Sequence, residues 1–238
     1  MTKSIISVVC ACCLCMASGC REKESYASVF TPEVPAIDAE IDPAWRRANV
    51  ATLKNFRLKE EFWQNEKDLA ASYRVLWDSA ALYLLVEVTD DVKFTQRVPA
   101  DSAERPMWAS HDYDGIDVIF RKSRLENYSY RWNYQSDSLI ASAAAPKAHF
   151  RYKDTPGGYV FEARFPRALL GAPADGPLGF EVLVADNDLE PRPDVYGGRE
   201  TTLGWAGQGM LVPMSPVAAS ADPADAPGRL VLLASGRR

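Results

Sequence analysis

The residues best placed to do chemistry lie between Trp108 and Tyr134. Ile116, Val118 and Phe120 recur at period two. So do Tyr128, Tyr130, Trp132 and Tyr134 after a charged turn at Arg121–Asn127. Side chains alternate across a strand, so each apolar line implies an opposite line. On the first strand the opposite line holds Asp117 and Ile119, and on the second it holds Ser129, Arg131 and Asn133. If the strands pair, a carboxylate, a guanidinium and an amide share one face, with Trp108 and Tyr113 at its mouth. Such a face suits a ligand that needs charged hydrogen-bonding groups and an aromatic surface. A solvated sheet face with one salt bridge has the same pattern.

Acidic groups form a second set: Asp90-Asp91, Asp112 with Asp114, and Asp186-Asn187-Asp188. They offer the hard oxygen ligands that calcium takes, without a strict calcium-loop spacing. His111 and His149 are the only histidines, and no HExxH or cysteine partner stands near either, which argues against zinc. Carboxylates are plentiful enough to supply a glycosidase pair, but no nucleophile motif is present. The net charge of -5 and the lack of a basic run argue against nucleic-acid binding.

All five cysteines fall in the first twenty residues. Lys3, an apolar run from Ile5 to Met16 and the small residues Ala17-Ser18-Gly19 precede Cys20, and Arg21-Glu22-Lys23-Glu24 follows it. That layout is a secretory signal. It resembles a bacterial lipoprotein signal, which implies cleavage before Cys20 and lipid on that residue, hence a membrane partner and a cell-envelope location. By the same resemblance, Arg21 rather than Asp after the cysteine is compatible with outer-membrane sorting in a cell that has an outer membrane. Residues 20–36, with Pro32 and Pro35, read as a tether.

The elements that must position these groups are strands. Ala71–Trp77 and Leu82–Val88 form a hairpin pattern across Asp78-Ser79-Ala80-Ala81. Phe150–Lys153, Tyr159–Phe165, Leu178–Ala185, Arg199–Trp205 and Arg229–Leu233 follow, with Gly157-Gly158 as a turn and Pro166–Gly171 as one helical turn. Asp42-Pro43 opens a turn or a short helical start. Lys93–Asp112 is a long polar connection. Trp45, Trp77, Trp132 and Trp205 are expected in the core. Many short strands and almost no helix-length pattern predict an all-β fold, a single-domain sandwich of two antiparallel sheets spanning 37–235.

The order of these motifs resembles the family 9 carbohydrate-binding modules, relatives of jelly-roll and DOMON-type sandwiches. The resemblance rests on I-D-A-E-I-D-P-A-W (Ile37–Trp45), R-V-L-W-D-S-A-A-L-Y-L-L-V-E-V-T-D-D (Arg74–Asp91) and D-G-I-D-V-I-F (Asp114–Phe120). It continues through Y-R-W-N-Y (Tyr130–Tyr134), Y-V-F-E-A-R-F-P (Tyr159–Pro166), L-G-F-E-V-L-V-A-D-N-D (Leu178–Asp188) and Leu203-Gly204-Trp205. It implies non-catalytic glycan recognition by Trp108, Tyr113, Asp117, Arg131 and Asn133, in support of a separate glycoside hydrolase or transporter. It also implies structural calcium, for which Asp90, Asp91, Asp112 and Asp114 are candidates. Two departures stand out: Trp108 lies six residues before Asp114, and the loop after Trp205 (A-G-Q-G-M-L-V-P-M-S-P) holds no aromatic. Tyr113, Trp63 or Tyr196 would have to stand in for the second tryptophan. Two alternatives remain open. One is a haem-binding electron-transfer domain using Met107, His111, Met210 or Met214. The other is a structural lipoprotein that has lost sugar binding.

Overall fold

The computed structural model describes residues 25–58, 60–95, 113–121, 127–134, 139–170, 178–188, 201–206 and 228–233. These residues form strands β1 (Ser25–Phe30), β2 (Ala51–Leu53), β3 (Asn55–Leu58), β4 (Leu69–Trp77), β5 (Ala81–Asp90), β6 (Gly115–Arg121) and β7 (Asn127–Asn133). They continue with β8 (Ile140–Ala141), β9 (His149–Thr155), β10 (Gly158–Pro166), β11 (Leu178–Asp186), β12 (Thr201–Gly204) and β13 (Gly228–Leu233). Short 3-10 turns at Pro43–Arg47, Glu60–Phe62 and Arg167–Leu170 connect them.

The hydrogen-bonded order is β8-β7-β6-β11-β13-β1-β4-β5-β10-β9, with β12 on β11, β3 on β12 and β2 on β4. This path curls into two packed layers, because each strand has one apolar line to bury. Rings from the two halves meet in the middle. Phe120 on β6 lies 5.0 Å from Phe165 on β10, Tyr130 on β7 lies 4.9 Å from Phe165, and Tyr73 on β4 lies 5.7 Å from Phe180 on β11. Trp132 is fully buried and sits 5.4 Å from Tyr159 and 5.7 Å from Phe161. Burying an aromatic contributes roughly 2–3 kcal/mol, so this seam supplies much of the drive to close the sandwich.

The predicted strands are present, each within a few residues. Gly158 explains the sharp β9–β10 turn: its φ is +140°, and an added Cβ would stand 2.0 Å from the Val88 carbonyl oxygen.

Two expectations are corrected. The segment 20–36 is not all tether, because β1 lies within it. β1 runs parallel to both β13 and β4, the Ser28 hydroxyl donates to the Val75 carbonyl at 3.0 Å, and the Val75 amide donates to the Tyr26 hydroxyl at 2.9 Å. Its alternation is too short to read, and its partners lie at distant ends of the chain. Trp77 is not core. It is half-buried, edge-on to Phe30 at 5.2 Å, beneath the Arg167 guanidinium at 5.1 Å. Trp45, Trp132 and Trp205 are buried as expected.

A smaller core explains the Ile37–Trp45 motif. Trp45, Ala39 and Ala44 pack on Leu76, Tyr83, Leu85 and Val160, on the side of β5 and β10 away from the main core. Glu162 is buried there, and its carboxylate accepts from the amides of Asp38 (3.0 Å) and Ala39 (2.7 Å) and from Trp45 Nε1 (2.7 Å). A buried carboxylate is tolerable only when so satisfied, which makes this group structural.

Candidate functional site

The face of β6 and β7 opposite the core carries the first group of candidate residues. The two strands pair antiparallel with Asp117 directly across from Arg131, and Gly115 across from Asn133. Arg131 Nε donates to Asp117 Oδ1 at 2.5 Å, and Nη2 donates to Oδ2 at 2.7 Å. This is the bidentate fork, the strongest and most directional carboxylate pairing available to a protein. Asp117 is 9% exposed, and the two side chains are 11% and 12% exposed, so water screens the pair little. Asn133 follows Arg131 on the same face and is 1% exposed. The structure thus brings Asp117, Arg131 and Asn133 together, as their alternation predicted.

Toward β11 the face changes character. Leu183 stands across from Asp117, and Gly204 on β12 stands across from Leu183. Beyond them lies a second ion pair that the sequence did not reveal: Arg57 Nη2 to Glu181 Oε2 at 2.9 Å. Glu181 Oε1 also accepts from the amides of Trp205 (2.8 Å) and Ala206 (3.0 Å). Arg57 closes the ring by donating to the Ala206 carbonyl. Burial pushes the Glu181 carboxyl up to about 7, with Arg57 and the two amides pulling the other way. A signal existed: a lone Glu in an outward line shared with Leu183 and Ala185 implies a strand covered on both faces, where a carboxylate needs a partner.

The aromatic part of the site differs from expectation. Tyr113 is 1% exposed, with its ring stacked on Phe94 at 5.4 Å. Its face is already used, so it does not form a lid. Trp63 is tied down elsewhere, donating from Nε1 to the Leu69 carbonyl at 2.9 Å and lying 5.3 Å from Phe56. Trp108 and Tyr196 lie outside the described residues, as do Asp112, Cys20 and the candidate haem ligands Met107, His111, Met210 and Met214.

The second group sits at one end of the sandwich, where β5 and β11 finish and β6 begins. Carboxylate oxygens of Asp90, Asp186 and Asp188 lie within 4.8 Å of one another, as do those of Asp68, Asp91 and Asp188. Asp90 and Asp91 thus fall in separate groups, each with Asp188. Asp68, Asp186 and Asp188 complete the groups. Asp68 precedes β4 without any local motif, so only the fold reveals it. Asp114 has another role: its oxygens accept from the amides of Phe94 (2.6 Å) and Asn187 (2.8 Å), which ties the start of β6 to the ends of β5 and β11.

Burial raises the Asp90 carboxyl to about 7, with Asp188 and Asp91 adding to the effect and the Val92 amide and Lys93 pulling the other way. Burial raises Asp186 to about 9, and the charges of Asp114, Asp188, Asp90 and Asp68 push the same way. Asp114 is raised well above the usual range by burial and then by Asp90, against its two amide bonds. Asp186 Oδ1 is buried and accepts no hydrogen bond. The Tyr159 phenol is also held up, by burial and then by Asp114 and Asp90.

The fold and the first face define a β-sandwich binding domain. Residues 37–206 match the family described as carbohydrate family 9 binding domain-like, and the chain belongs to that family. It is similar to a family 9 carbohydrate-binding module from Caldicellulosiruptor kristjanssonii, solved in complex with glucose, at a TM-score of 0.60. The two are 20% identical, with 90% of this chain and 98% of that chain covered. The same module in complex with cellotriose gives a TM-score of 0.58, with 88% and 93% covered. The chain is also 26% identical over 160 residues to endo-1,4-beta-xylanase A of Thermotoga neapolitana. That match takes in 64% of this chain and spans only 14% of the xylanase.

Proposed function

We propose that this protein is a non-catalytic glycan-binding domain whose ligand lies on the outer face of β6 and β7. The observation that carries the reading is the bidentate Asp117–Arg131 pair beside Asn133, on a sandwich of the carbohydrate family 9 type. Sugar hydroxyls both donate and accept and would meet Asp117 and Arg131, beside the buried Asn133. The pair holds both groups rigid, which cuts the ordering cost of binding. The glucose and cellotriose bound by the similar module support a pyranose ligand. Trp108 would cover the apolar face of the sugar ring.

The Cys20 motif supports a lipid-anchored protein of the cell envelope, holding glycan for a separate glycoside hydrolase or transporter. The acidic end supports a structural cation. Its donors are hard oxygens, its charges repel, and Asp186 Oδ1 has no partner, all of which suit calcium. Asp90, Asp186 and Asp188 would hold it, and its charge would cancel their repulsion.

A glycan array probed with residues 21–238, repeated with Trp108→Ala and Arg131→Ala, tests the ligand site. Binding by the parent and its loss in both variants is the expected result. No binding, or equal binding by all three, removes the site.

A further inference from the structure

Thr201 and Asp186 stand directly opposite each other where β12 meets the end of β11. Residues so paired share a face of the sheet, with Cβ atoms about 5 Å apart. Both are buried, at 0% and 1% exposed. The Thr201 hydroxyl makes no hydrogen bond, and neither does Asp186 Oδ1. Two unsatisfied oxygens on one face are costly, since buried polar groups are almost always paired. A hydroxyl opposite a lone carboxylate oxygen would ordinarily donate to it. A cation lodged between Thr201 and the Asp90, Asp186 and Asp188 carboxylates would satisfy both oxygens at once.

We propose that Thr201 supplies a neutral oxygen to the cation held by Asp90, Asp186 and Asp188. The inference rests on the cation reading above and assigns a residue to it. The carboxylates already bring more negative charge than a divalent ion needs, so a further ligand is best neutral. Calcium takes six to eight oxygens in flexible geometry and accepts such a ligand. Magnesium keeps several waters, and a site whose Asp90, Asp186 and Thr201 are this deeply buried admits few. Thr201 therefore favours calcium over magnesium.

The test is calorimetric titration of the purified, EDTA-treated protein with calcium and, separately, with magnesium. Thr201→Val keeps the shape of the side chain and its β-branch, and removes only the hydroxyl. The parent binds calcium more tightly than magnesium. Thr201→Val loses about tenfold in calcium affinity, whereas Thr201→Ser stays within about twofold. Melting in EDTA separates this from a packing defect. There Thr201→Val melts at or above the parent, because an unsatisfied buried group is gone. Thr201→Ala repeats the deletion in case Val strains the site. If a hydroxyl-free variant binds calcium as the parent does, the assignment of Thr201 is overturned and the carboxylate site stands. If the parent and Asp186→Asn both show no calcium binding, the cation reading itself falls, and this inference with it.

Discussion

Two polar regions of this sandwich solve the problem of buried charge in opposite ways. On the outer face of β6 and β7, Asp117 faces Arg131, and each neutralises the other through two hydrogen bonds. At the end of β5 and β11, Asp90, Asp186 and Asp188 face one another, and Lys93 is the positive charge that acts on Asp90. The first region is complete without a ligand and presents a rigid surface. The second carries carboxyls raised by burial and by one another, a strain that protons or a shared cation would relieve. Burial alone does not separate the two regions. The sign of the nearest charge does: a guanidinium for Asp117, further carboxylates for Asp186.

This contrast can be broken at either end. The largest expected effect is that of calcium on the EDTA-treated protein at pH 8. At a thousandfold excess over its dissociation constant it adds about 4 kcal/mol, or roughly 10 °C in melting temperature. The gain depends on pH. The Asp90 and Asp186 carboxyls are raised to about 7 and 9 in the folded protein. Raised carboxyls contribute stability that is fully present below the unfolded value near 4 and is lost as pH rises through the folded values. The metal-free melting temperature therefore falls between pH 4 and pH 9, and calcium removes most of the fall. A flat metal-free profile contradicts the picture.

Next in size is Asp117→Asn. It leaves the Arg131 charge buried without its carboxylate and costs about 3 kcal/mol in denaturant unfolding, with loss of glycan binding. Asp186→Asn has the opposite sign: in EDTA it raises stability by about 1 kcal/mol through relief of repulsion, and it forfeits most of the gain from calcium. Two Asp→Asn changes of equal chemistry that shift stability in the same direction without metal would erase the contrast. The smallest effect is Tyr113→Phe. Because Tyr113 is buried against Phe94, glycan affinity stays within about twofold. A large loss would return Tyr113 to the glycan face.

The sequence made the outer face legible because its information is local. Period-two alternation on β6 and β7, separated by a short turn, fixes both the register and the shared face of Asp117, Arg131 and Asn133. The same rule placed β4, β5, β10 and β11. It failed at β1, where parallel pairing to β13 and β4 joins segments far apart in the chain. It also failed for Arg57 and Glu181, 124 residues apart, and for Asp68, whose companions lie on other strands. Tyr113 was misread because adjacency to a site in sequence does not say which way a ring turns. Here the stack with Phe94 turns it inward.

The central claim, that glycan is held by the Asp117–Arg131 face, is tested most directly by the Arg131 side-chain Nε–Hε signal in a two-dimensional NMR titration. Titration with cellotriose, or with the best glycan from the array, should move that signal saturably, while the Thr201 methyl signal responds to calcium and not to sugar. A saturable glycan response elsewhere in the spectrum, with the Arg131 signal unmoved, would contradict the account.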